Sequence, residues 1–142
     1  NSHNHIMFGS VDAWFYKNLA GLELIEPGWS AFKIKPFVPE EIDQVQARLA
    51  TIRGEISVFW QKSDSIFNLE LEIPTGSRAR LFLPVLWSEF RISEHKEKEL
   101  ILWDQGTYVN RENDDGISRE DINEQPVFWL DSGSYLFRME KI

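Results

Sequence analysis

The 142-residue sequence contains no cysteine. Disulfides, a cysteine nucleophile and thiolate metal ligation are therefore excluded, while the compartment stays open. Positive charge is in deficit: 15 Lys and Arg stand against 23 Asp and Glu, a formal net charge of -8. An acidic domain repels phosphate backbones, so nucleic acid is not an expected partner. No apolar run approaches the roughly 20 residues of a spanning helix, and no membrane partner is expected. The opening residues show neither a basic n-region nor an apolar h-region, so no signal peptide is expected there. A glycine-rich phosphate loop and a G-x-S-x-G turn are missing as well. Asp114-Asp115-Gly116 has part of a calcium-loop pattern, but Arg111 stands where that pattern needs an acid. Histidine is scarce: His3 and His5 lie two apart, and His95 is far away in a charged stretch. A metal site takes three or four ligands, so no metal and no cofactor is expected.

Aromatic residues are plentiful, at 13% with 6 Trp and 10 Phe. Such a content suits a β-sandwich core or sugar-stacking surfaces. Trp60 falls in phase with core positions. Trp29, Trp87, Trp103 and Trp129 are the candidates for exposed stacking platforms. Carboxylate neighbours such as Glu23 with Glu26, Glu40 with Glu41, and Asp114 with Asp115 sit in polar contexts that read as solvated surface. No catalytic residue is assigned from them.

The first twenty residues differ from all that follow. Ser2-His3-Asn4-His5 is a polar loop, after which Phe8, Val11, Trp14, Phe15, Leu19 and Leu22 recur at helical spacing. Ser10 suits an N-cap, Asp12 the first turn and Gly21 the stop. The rest is strand-like. Val45, Ala47 and Leu49 alternate with polar residues; so do Ile56, Val58 and Trp60, then Phe67, Leu69, Leu71 and Ile73, then Ala79, Leu81 and Leu83. Shorter candidates are Phe90–Glu94 and Glu99–Trp103 around the charged turn His95–Lys98, and a closing hairpin spans Asp131-Ser132-Gly133. The stretch Asn110–Gln125 is acidic and reads as a surface loop. The expected fold is mainly β: a jelly-roll-like antiparallel β-sandwich preceded by one N-terminal α-helix.

Ser2-x-Asn4-His5-x-x-x-Gly9-Ser10-Val11-x-x-Trp14-x-Tyr16 resembles the segment that closes the helical toroid of bacterial α-L-rhamnosidases. In that family a C-terminal β-sandwich of about this length follows directly. Phe32-Lys33-Ile34-Lys35-Pro36, Gly54–Trp60, Phe67–Pro74 and Gly133-Ser134-Tyr135-x-Phe137 are similar to its sandwich strands. Ile6-Met7 departs from the family, which often carries an aromatic pair there.

The resemblance implies a division at residue 26. Residues 1–26 would be the last loop and helix of an upstream helical catalytic domain, and residues 27–142 the C-terminal sandwich. It implies a parent glycoside hydrolase that releases terminal α-L-rhamnose with inversion. Inversion uses an acid and a base carboxyl roughly 6.5–9.5 Å apart. In the family both lie upstream of Asn4-His5, so this chain would lack them. His5 would be a substrate contact, since imidazole both donates and accepts, and Asn4 would shape the loop. The implied partners are the upstream domain and a rhamnose-containing glycoside. Localisation would be decided by the missing N-terminal part. Two other readings stand beside this one: a non-catalytic carbohydrate-binding sandwich module, and self-association through the apolar helix face.

Overall fold

A computed structural model of the chain describes residues 15–95, 98–109, 113–114, 116–122 and 125–142. The strands are β1 Leu22–Leu24, β2 Ala31–Ile34, β3 Gln44–Thr51, β4 Gly54–Lys62, β5 Ile66–Ile73, β6 Arg78–Phe82, β7 Phe90–Glu94, β8 Leu100–Asp104, β9 Thr107–Tyr108, β10 Asn113–Asp114, β11 Ile117–Ile122, β12 Gln125–Leu130 and β13 Gly133–Lys141. They form two sheets. The first runs β1-β2-β6-β12-β11-β10 and the second β3-β4-β5-β13-β7-β8-β9. Every pairing is antiparallel except that of β2 with β6, which is parallel. The architecture is the expected β-sandwich.

Period-two alternation builds it. Ile56, Val58 and Trp60 on β4, Phe67 and Leu69 on β5, and Phe137 and Met139 on β13 point inward and are buried. Phe32, Ile34, Ala79, Leu81, Phe128 and Leu130 face them from the first sheet. Aromatic rings fill the interior: Trp60 lies against Phe67 within the second sheet, and Phe128 stacks on Phe137 across the two layers. Burying a large side chain stabilises by about 1.5–3 kcal/mol, so this shared interior dominates the fold.

Before β1, Phe15–Leu19 forms a single π-helical turn, closed by the Ala20 N–H donating to the Phe15 carbonyl at 3.1 Å. The turn ends before the predicted stop at Gly21; Leu22, in phase with the helical spacing, belongs to β1, and Phe8, Ser10, Val11, Asp12 and Trp14 lie outside the described residues. Extended pairing of Leu22 with Ile34 outweighs helical continuation once Gly21 turns left-handed at φ 75°. β1 also precedes the expected division at residue 26, yet it is hydrogen-bonded into the first sheet.

The turn is anchored to the sandwich on three sides. The buried Trp60 indole N–H donates to the Leu19 carbonyl at 2.8 Å. The Phe37 N–H donates to Asn18 and the Lys35 N–H to Gly21, both at 2.9 Å. The Tyr16 hydroxyl donates to the Arg48 carbonyl at 2.6 Å. Leu19 and Ala20 are buried, with Phe15 and Tyr16 packed on the core. In the described part, therefore, the apolar face is covered by the chain's own sandwich.

The stretch predicted as a surface loop over 110–125 is different. Among its described residues, β11 pairs along its whole length with β12. Its polar sequence hid it, because a salt bridge holds the outer face: Glu120 accepts two hydrogen bonds from Arg80 at 2.7 Å.

Three substitutions test the entry anchor. Trp60→Phe keeps most of the volume but leaves the Leu19 carbonyl unpaired, and should cost about 1–3 kcal/mol; Trp60→Ala should cost about 3–5 kcal/mol. Gly21→Ala should cost at least about 2 kcal/mol, since a Cβ there meets the Lys35 carbonyl and φ is positive. Urea unfolding of the three variants measures these losses.

Candidate functional site

Asn4 and His5, the predicted substrate contacts, lie outside the described residues. What is described is where their segment enters the fold, between β1 of the first sheet and the edge strand β3 of the second. A small cavity of about 250 Å³ opens beside this entry, lined by Lys17, Asn18, Gly21, Glu23, Lys33, Lys35, Pro36 and Phe37. Its charges are partly paired: Lys33 Nζ lies 2.8 Å from Glu23. The hydrogen bond from Lys33, reinforced by its charge and by that of Lys17, holds the Glu23 carboxyl below the usual carboxylate range.

The four tryptophans predicted as platforms are not gathered. Trp103 is buried, 4% exposed, between a stacked Phe90 and an edge-on Tyr108. It sits on the inner face because β8 is in register with Ile92 of β7 there. Trp29 is half-buried edge-on to Phe32, and its carbonyl accepts from Ser77 Oγ at 2.8 Å. Trp129 lies on the outer face of the first sheet, its ring covered by the Arg78 guanidinium at 4.9 Å. Trp87 lines an open groove of about 620 Å³ with Glu40, Glu41, Asp43 and Asp64, without a second tryptophan beside it.

A more mixed groove, of about 630 Å³, lies on the outer face of the second sheet. Strand register builds it in two rows. Gln46, Phe59, Glu70 and Leu136 stand side by side on β3, β4, β5 and β13, with His95 at the end. Arg48, Ser57, Glu72 and Ser134 form the next row. Ser134 Oγ donates to the Glu72 carboxylate at 2.7 Å, and His95 Nε2 lies 2.7 Å from Ser93 Oγ. Attention to inward alternation overlooks these residues. The available signal is the pair Phe59-Trp60: on a strand only one of two neighbours can face the core.

Among the described residues, no group of three or more His, Asp or Glu side chains is placed to hold a metal ion. No helix among them is long and apolar enough to cross a membrane.

Comparison with known proteins decides the family. The pattern described as "Bacterial alpha-L-rhamnosidase C-terminal domain" matches residues 21–98, more than half of the chain. The chain belongs to this family. It is similar to an alpha-L-rhamnosidase of Streptomyces avermitilis, with 29% identity over 137 residues, covering 96% of this chain and 11% of that protein. Its fold is similar to part of the alpha-L-rhamnosidase structure from Dictyoglumus thermophilum, with a TM-score of 0.78 and 37% identity over 99% of this chain and 14% of that one. The Streptomyces avermitilis enzyme solved with L-rhamnose gives a TM-score of 0.66 and 25% identity over 92% of this chain and 11% of that one. The chain thus spans about a tenth of the curated relatives it matches. Of the strands predicted from the family resemblance, those at Phe32–Pro36, Gly54–Trp60 and Phe67–Pro74 fall inside the matched region.

The Glu23 pairing carries a pH prediction. A carboxyl whose folded pKa is depressed stabilises above its unfolded value and loses that contribution as pH falls through the folded one. A carboxyl-carbon NMR titration should place Glu23 below the ordinary glutamate range, and Lys33→Met should return it towards that range.

Proposed function

We propose that the chain is the C-terminal sandwich of an enzyme that releases terminal α-L-rhamnose, and that it serves that enzyme as a structural brace. The observation that carries this is the family match together with the small share of each relative that the chain spans. An upstream helical catalytic domain would supply both carboxyls of an inverting mechanism. The residues before the entry turn would close that domain, with Asn4 and His5 turned towards its sugar, and the sandwich, entered through Phe15–Leu19 and β1, would form the accessory domain.

The geometry of the entry supports a brace. A segment that must reach a sugar needs a rigid foot, and the turn Phe15–Leu19 has one. Its carbonyls are held by Trp60, Phe37 and Ala20, and Leu19 and Ala20 are sealed in the core. The residues that follow pass directly into β1. Any substrate contact carried by the preceding loop is thereby referenced to the sandwich rather than to a free linker.

Purified as the 142-residue chain, the protein should release no p-nitrophenol from the aryl α-L-rhamnoside at any pH. Sustained turnover by the pure chain would overturn the assignment of the carboxyls to another domain.

A further inference from the structure

The outer faces of the two sheets handle their polar groups differently. On the first sheet the charges are mutually paired: Arg80 with Glu120, Arg78 with Asp131, and Lys33 with Glu23. Elsewhere on the second sheet the same holds, with Arg91 on Asp104 and Arg138 on Asn68 and Glu140. The groove around Phe59 does not. Glu70 and Gln46 make no side-chain hydrogen bond with the described residues. Arg48 reaches only Glu55, at 4.0 Å, which is the outer limit of an ion pair. Yet Gln46 and Glu70 flank the half-buried Phe59 ring, one strand spacing of about 4.8 Å to either side, and Arg48 stands diagonally across from it, opposite Ser57.

An apolar ring edged by an unpaired planar amide and carboxylate, with a weakly held guanidinium nearby, matches one ligand chemistry well. A saccharide presents an apolar C–H face to the ring and vicinal hydroxyls to its rim. Each planar group can take two adjacent hydroxyls at once, accepting through Glu70, donating through Arg48 and doing both through Gln46. Leu136 extends the apolar floor beyond Glu70, and His95 closes that end. A groove of about 630 Å³ has room for one or two sugar rings. A charged ligand fits less well, because Arg48 stands against Glu70 and Glu72 in the same wall.

We infer that this groove binds a neutral saccharide, centred on Phe59 and held by Gln46, Arg48 and Glu70. A 6-deoxyhexose is the favoured class, since its methyl group suits the Leu136 floor. That preference rests on the function proposed above; the groove itself does not. Binding should be weak, with a dissociation constant on the order of 1 mM, because the groove is open and one-sided.

The test is an amide NMR titration of the 142-residue chain with L-rhamnose and with an α-L-rhamnosyl disaccharide. Saturable shifts with either sugar are expected at Gln46, Phe59, Glu70 and Leu136. Phe59→Ala and Glu70→Gln should each raise the dissociation constant about tenfold, and Glu70→Gln, being on the exposed face, should leave the core spectrum unchanged. Arg80→Gln, on the opposite sheet, should titrate as the unmodified chain does. Absence of saturable shifts, shifts centred on the first sheet, or unchanged affinity in Glu70→Gln would overturn the inference. A silent groove in a catalytically inactive chain would remove this site and leave the brace reading standing.

Discussion

Everything in this fold follows from one requirement: the inner faces of two sheets must stay dry, including at the side where β1 and β3 leave their edges open. Unpaired strand edges expose backbone donors and acceptors. The chain meets the requirement with its own incoming segment. The turn Phe15–Leu19 lies across the gap, and the Trp60 indole, on the inner face of the second sheet one strand in from its edge, holds the Leu19 carbonyl. One side chain thus packs the core and fixes the angle of entry. The glycine at position 21 makes this possible, since only a left-handed residue lets the turn pass so near the Lys35 carbonyl.

The same economy is what the proposed brace requires. Hydrogen bonds where the preceding segment joins run from the turn to the continuation of β2, to β3 and to β4. Its outer faces carry the remaining chemistry. One is neutralised by cross-strand ion pairs and by guanidinium groups lying over Trp129 and Phe82. The other leaves an aromatic ring ringed by unspent hydrogen-bonding groups.

Strands β3 to β6 and β13 were legible in the sequence because apolar residues recur at every second position along one face. Gly21 was legible as a stop for a similar local reason. β11 was not: Ser118, Arg119 and Glu120 carry no apolar period, and its place depends on Arg80, 40 residues away from Glu120. Leu22, in phase with the helical stripe, lies beyond the stop at Gly21 in β1, and its pairing with Ile34 is invisible locally. Trp103 looked like a surface residue in a short charged hairpin, yet ring contacts from Phe90 and Tyr108 enclose it. The candidate site divided in the same way. Asn4 and His5 were readable only through family resemblance. The groove around Phe59 needed the register of four strands, which no single stretch of sequence contains.

The entry turn is part of the sandwich and not an appendage. Native-state hydrogen exchange of the 142-residue chain measures this directly, through the amides of Ala20, Lys35 and Phe37, which close the anchor. Protection at these three amides matching that of Leu69 and Phe137 in the core is the expected result. Exchange at the rate of free peptide, with the core strands still protected, would contradict it.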